Sequence, residues 1–190
     1  MPASHDLHGL LDSAIATISE QIDTLPDEAW DAQTPCPDWN AQQLVDHVTG
    51  TVHGMAAFIQ GADYRESKAE IGPSSSPAEA RERWHAEVER LRAVAEGLDR
   101  EAPVAGDDAP AWQSLKITTH DLTVHAWDLA HTAGRRLDLP DELREDLDIL
   151  VHETPPDFLR SPGVFGPEAE APEDASPTER VLAFLGRRVR

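Results

Sequence analysis

The stretch AWQSLKITTHDLTVHAWDLAHTAG, residues 111–134, decides how this chain is read. Within it Leu115, Leu122 and Leu129 recur every seven residues, as the buried face of a helix does. Gly134 follows as a residue able to take the left-handed backbone at a helix C-terminus. The pattern predicts a helix from about residue 111 to 132, and that helix fixes where its polar side chains point. Asp121 and His125, four apart, project to one side about a turn from each other, so both can converge on one ion. Asp128 falls near the same line.

Working outward, Leu7, Leu10, Leu11, Ala14, Ile15, Ile18, Ile22 and Leu25 step by threes and fours, which predicts an amphipathic first helix ended at Leu25-Pro26-Asp27. The turn formers from Trp30 through TPCPDWN (34–40) predict a loop. Asn40 then offers an N-cap with Gln43 at the capping-box position, and the second helix follows with a stripe of Leu44, Val48, Thr51, Met55 and Phe58. His47 flanks that stripe. GPSSSP (72–77) reads as a linker closing on the start signal Ser76, Pro77 and Glu79, ahead of a third helix faced by Trp84, Val88, Leu91, Ala95 and Leu98.

Downstream, Leu143, Leu147, Leu150 and Val151 indicate a further helix stopped by Pro155-Pro156, and residues 161–172 should be irregular or extended. Ser176, Pro177 and Glu179 repeat the start signal for a last helix carrying Val181, Leu182, Phe184 and Leu185. The expectation is an all-α protein: a four-helix bundle over residues 1–134, with a C-terminal helical extension over 135–190 packed on it.

Charge narrows the function classes. The 190 residues hold 36 acidic and 16 basic side chains, a net charge of −20 that repels phosphate backbones, so nucleic acid is not an expected partner. No segment is apolar for long enough to predict a membrane span. His5, Asp6, His8 and Asp12 interrupt the start where a secretory leader would be apolar, so the cytoplasm is the expected compartment. Cys36 is the single cysteine, which excludes an intramolecular disulfide and a zinc knuckle.

A divalent metal on Asp121 and His125 needs at least one more ligand from another element, and His47 is the best supplier because it borders a buried stripe. Two imidazoles and one carboxylate leave positions open to water or substrate; zinc suits the set, as would nickel, cobalt or ferrous iron. On spacing alone the competing reading is a surface Asp–His pair with a hydrogen-bonded core histidine.

The pieces TPCPDWNAQQLVDHVTG (34–50) and DLTVHAWDLAHTAG (121–134) resemble the paired motifs of the DinB-like superfamily. The likeness is to the branch named for the N-terminal domain of mycothiol-dependent maleylpyruvate isomerase. There, a Trp-bearing loop precedes a helix with the first metal histidine, and a later helix carries an acidic residue, three spacers and a second histidine ahead of Trp-Asp. His47, Asp121, His125 and Trp127-Asp128 occupy those places, and the tail VFGPEAEAP (164–172) is similar to a group of actinobacterial metal-binding proteins. The resemblance implies a DinB-like bundle, a metal held by His47, Asp121 and His125, and a low-molecular-weight thiol such as mycothiol as cofactor. The family's acidic ligand is commonly Glu, so Asp121 implies a tighter site, or help from Asp128 or a water.

Other residues have plainer readings. Cys36, between two prolines with no basic neighbour in sequence, reads as structural rather than as a reactive thiol. Trp39 and Trp127 read as core packing. Asp128 either orients a ligand histidine or makes a salt bridge. His53, His120 and His131 fall off the ligand line, with His120 the substitute if a ligand is misassigned. Arg135 and Arg136 complement the helix dipole, although an anionic substrate would also need such a cation.

Two functions follow. One is a metal-dependent, mycothiol-type thiol transferase or isomerase-like enzyme acting on a small molecule; the other is a non-catalytic protein whose metal is structural or sensory. The long apolar stripes also permit a third reading, a metal-free bundle that acts by protein association, and a homodimer is among the expected partners.

Overall fold

Caps decide where the helices begin. In the computed structural model, described over residues 7–99, 101, 103, 110–161 and 164–189, Asn40 Oδ1 accepts from the Gln43 amide at 2.9 Å and Gln43 Oε1 accepts from the Asn40 amide at 3.0 Å. That reciprocal box starts α2 (Ala41–Ile59). Ser76 caps α4 (Pro77–Glu96), but the box expected there does not close: Glu79 accepts instead from the Ser75 amide and hydroxyl. The remaining elements are α1 (Leu7–Asp23), α3 (Tyr64–Glu70), α5 (Ala111–Thr132), α6 (Asp141–Glu153), α7 (Pro156–Leu159) and α8 (Pro177–Phe184). No strand occurs among the described residues. None of their helices is long and apolar enough to cross a membrane.

The chain divides into units of residues 1–135 and 136–190. In the first, α1 and α2 each pack against both α4 and α5, which gives a four-helix bundle with α1 diagonal to α2. Ile15, Ile18, Ile22, Leu44, Leu91, Leu115, Leu122 and Leu129 are fully buried, each stabilising the fold by about 1.5–3 kcal/mol. Residues 122–130 of α5 are buried without a break. Thr119 and Thr123 satisfy their buried hydroxyls on the carbonyls of Leu115 and Thr119, four residues back. Gly134, at φ 71°, ends α5 with amide bonds from Gly134 to His131 and from Arg135 to Ala130. Arg135 then reaches Gln21 of α1 and Thr24 just after it, so its cation serves the bundle. In the second unit α6 packs on α8, whose Ser176–Glu179 capping box forms.

The short helix α3, absent from the sequence expectation, lies against α2 where Gly50 and Gly54 leave room. A Cβ on Gly54 would meet the Tyr64 carbonyl oxygen at 2.9 Å and Lys68 Cβ at 3.1 Å. Gly54→Ala is therefore expected to displace α3 and cost about 1–3 kcal/mol. A urea-unfolding midpoint equal to that of the unsubstituted protein would contradict this close approach.

Candidate metal centre

Three elements build the site: the middle of α2, the middle of α5 and the loop before α2. Helix geometry puts Asp121 and His125 on one side of α5, and α2 packs against that helix and brings His47 to them. His47 Nε2 lies 3.5 Å from Asp121 Oδ2, and His125 Nε2 lies 3.3 Å from Asp121 Oδ1. Donors held about 2.1 Å from a common tetrahedral ion sit about 3.4 Å from one another, so these separations match a shared coordination sphere. His47 Nε2 and Asp121 Oδ2 are both buried and have no hydrogen-bond partner. Buried polar atoms are costly to leave unsatisfied, and a cation between them satisfies both at once. The residues therefore fit a divalent metal.

The same contacts set the charge states of the metal-free cluster. Burial pushes the His47 ring below its ordinary value, and Asp121 only partly offsets it. Burial alone would raise the Asp121 carboxyl, but the His125 charge and hydrogen bond, with the His47 ring, hold it well below the usual range. Burial would lower His125; the Asp121 charge and hydrogen bond outweigh it, with Asp128 and Cys36 adding to the same effect, and hold it well above its ordinary value. Without metal, the site is a proton-bearing His125 against an ionised Asp121, with a neutral His47 beside them.

A second layer orients the first. Asp128, fully buried, accepts from His125 Nδ1 at 2.9 Å, which leaves Nε2 turned to Asp121. Cys36 Sγ approaches the same Asp128 Oδ2 at 3.4 Å. Cys36, His125 and Asp128 also lie close enough to hold an ion, but Asp128 Oδ2 is already engaged by the ring and the thiol, so this group reads as support. Asp128→Asn is expected to weaken divalent-metal affinity about 10- to 100-fold, measured by chelator competition. An unchanged affinity would remove the orienting role.

With that geometry in view, comparison with known proteins is decisive. Residues 11–130 match the family model of the mycothiol maleylpyruvate isomerase N-terminal domain. The chain belongs to this family. It is 30% identical over 161 residues, 83% of its own length and 84% of theirs, to uncharacterized proteins of two Mycobacterium tuberculosis strains, ATCC 25618 / H37Rv and CDC 1551 / Oshkosh. Its fold is similar to the crystal structure of the mycothiol-dependent maleylpyruvate isomerase and to that of a histidine-to-alanine mutant of that enzyme. Each has a TM-score of 0.64 and 16% identity over 77% of this chain and 68% of the other.

Two contacts of this site escaped the sequence reading. Trp39, expected in the core, is only half-buried and lies on the His47 ring with centroids 4.1 Å apart, and 5.9 Å from that of His125. Cys36, read as structural, meets Asp128 from the same loop. The loop is held by Thr34 Oγ1 and Gln33 Nε2, each donating to the Trp39 carbonyl at 2.8 Å. Trp127 is buried as expected and faces His131 at 4.7 Å. His120 is buried but does not join the ligand cluster, and His53 is engaged by Glu87 at 2.9 Å and Glu70 at 3.3 Å.

Proposed function

We propose that this protein binds one divalent metal, zinc first among the candidates, through His47, Asp121 and His125, and uses it as a thiol-dependent transferase or isomerase-like enzyme. The observation that carries this reading is the pair of buried, unpartnered atoms His47 Nε2 and Asp121 Oδ2 facing each other 3.5 Å apart. Three protein donors leave coordination positions open, as catalytic rather than structural sites do. Asp128, the residue nearest to closing the sphere, is occupied on the far side of the His125 ring. A bound metal supplies a Lewis acid that lowers the pKa of a coordinating thiol and makes it a nucleophile at neutral pH.

The chain's own residues do the rest. Asp121 and His47 face the cation, Asp128 keeps the His125 proton on Nδ1, and Trp39 walls one side with an indole that excludes water. Mycothiol as the thiol is supported by the family to which the chain belongs. The test is cobalt substitution followed by thiol titration. A thiolate-to-cobalt absorption band that appears with mycothiol, and is absent from a His47→Ala, His125→Ala double variant, is the expected result. Cobalt binding without any thiol response would favour a structural or sensory metal instead.

A further inference from the structure

Lys68 is one of two lysines in a chain of net charge −20, and it is held half-buried on α3. Its Nζ donates to Thr51 Oγ1 at 2.8 Å and approaches the Tyr64 hydroxyl at 3.5 Å. Both partners are neutral. Among the described residues no carboxylate forms an ion pair with it. In a protein carrying 36 acidic side chains, a cation drawn out of water without a carboxylate partner is an expensive arrangement.

The fold is shaped to keep it there. Gly50 and Gly54 admit α3, and a Cβ on Gly50 would meet the Lys68 carbonyl oxygen at 3.2 Å and its Cγ at 3.3 Å. Thr51 stands one helical turn beyond His47 on α2, which puts the ammonium beside the metal ligands. The Lys68 charge is felt at His47, and that of Asp121 at both Lys68 and Tyr64. An ammonium has three donors, of which Thr51 and Tyr64 engage two.

We propose that Lys68, with the Tyr64 and Thr51 hydroxyls, is an anion subsite that binds a carboxylate of the ligand whose other end reaches the metal. A carboxylate fits better than a phosphate, because one ammonium and two hydroxyls balance a single negative charge, whereas phosphate sites gather guanidinium forks or several cations. This subsite rests on the metal reading above and adds to it the charge of the substrate.

The test compares two thiols on cobalt-loaded protein: 3-mercaptopropionate, which carries a carboxylate, and 2-mercaptoethanol, which does not. The readout is the ratio of their dissociation constants, followed by thiolate-to-cobalt absorption. Lys68→Met is expected to reduce the preference for the carboxylate thiol roughly tenfold relative to the unsubstituted protein, with cobalt stoichiometry and 2-mercaptoethanol affinity kept. Tyr64→Phe, which removes only a hydroxyl, should lower the same ratio by about threefold and guards against misfolding of the lysine variant. A ratio unchanged in both variants, while cobalt and both thiols bind, overturns the subsite and leaves the metal reading intact. Failure of the unsubstituted protein to bind cobalt sinks the metal reading and the subsite with it.

Discussion

Replacing His125 by alanine is expected to abolish the divalent-metal binding proposed for His47, Asp121 and His125. A complete structural zinc site of four ligands contributes about 10–16 kcal/mol, or roughly 2.5–4 kcal/mol per ligand, so losing one of three weakens binding by about two to three orders of magnitude. His125 is a telling choice because its other ring nitrogen is tied to Asp128 and, apart from His47, no described histidine joins the cluster. Metal content after gel filtration should fall from one ion per chain to near none. Because the variant also removes the imidazole from the buried Asp128, circular dichroism is recorded alongside to show that the helices are retained. Full metal occupancy in His125→Ala would discard the ligand assignment.

Metal affinity is also expected to rise about tenfold per pH unit between the lowered His47 value and the raised His125 value. His125 is held well above its ordinary value, so in this range the ion must displace its proton, whereas His47, pushed down by burial, is already neutral. The slope should therefore be near one proton, steepen below the lowered His47 value and flatten above the raised His125 value. Stability of the metal-free protein runs differently. The contribution of the raised His125 is fully present below about pH 6.5 and is lost as pH rises through its folded value. That of the depressed Asp121 is present above about pH 3.9 and is lost as pH falls through its own. Chelator competition across a pH series measures the first effect and thermal melting of metal-free protein the second. A flat affinity profile would mean that His125 carries no proton to displace.

Most of the bundle was legible because its information is local and periodic. Leu115, Leu122 and Leu129 announce α5, Gly134 its end, and Asn40 with Gln43 the start of α2. α3 was not read because YRESKAE (64–70) has no apolar stripe; its one signal is Asp63, whose carboxylate caps the Glu66 amide at 2.8 Å. The candidate donors that α5 contributes follow from helical spacing and His47 from its place beside the buried stripe of α2, with the family resemblance supporting the set. Cys36 meeting Asp128 spans 92 residues of sequence, a pairing that no local pattern encodes. Trp39 likewise looked like a helix-entry anchor, since only the folded loop lays its indole against His47.

The Gln33 and Thr34 tether has an evolutionary consequence. It fastens the loop to its own backbone, while Pro37 and Asp38 at the tip stay exposed. The three candidate donors, by contrast, all sit on α2 and α5, pieces of chain separate from the loop tip. Exposed loop positions tolerate exchange best, so variation at the tip is free to accumulate without disturbing the two helices.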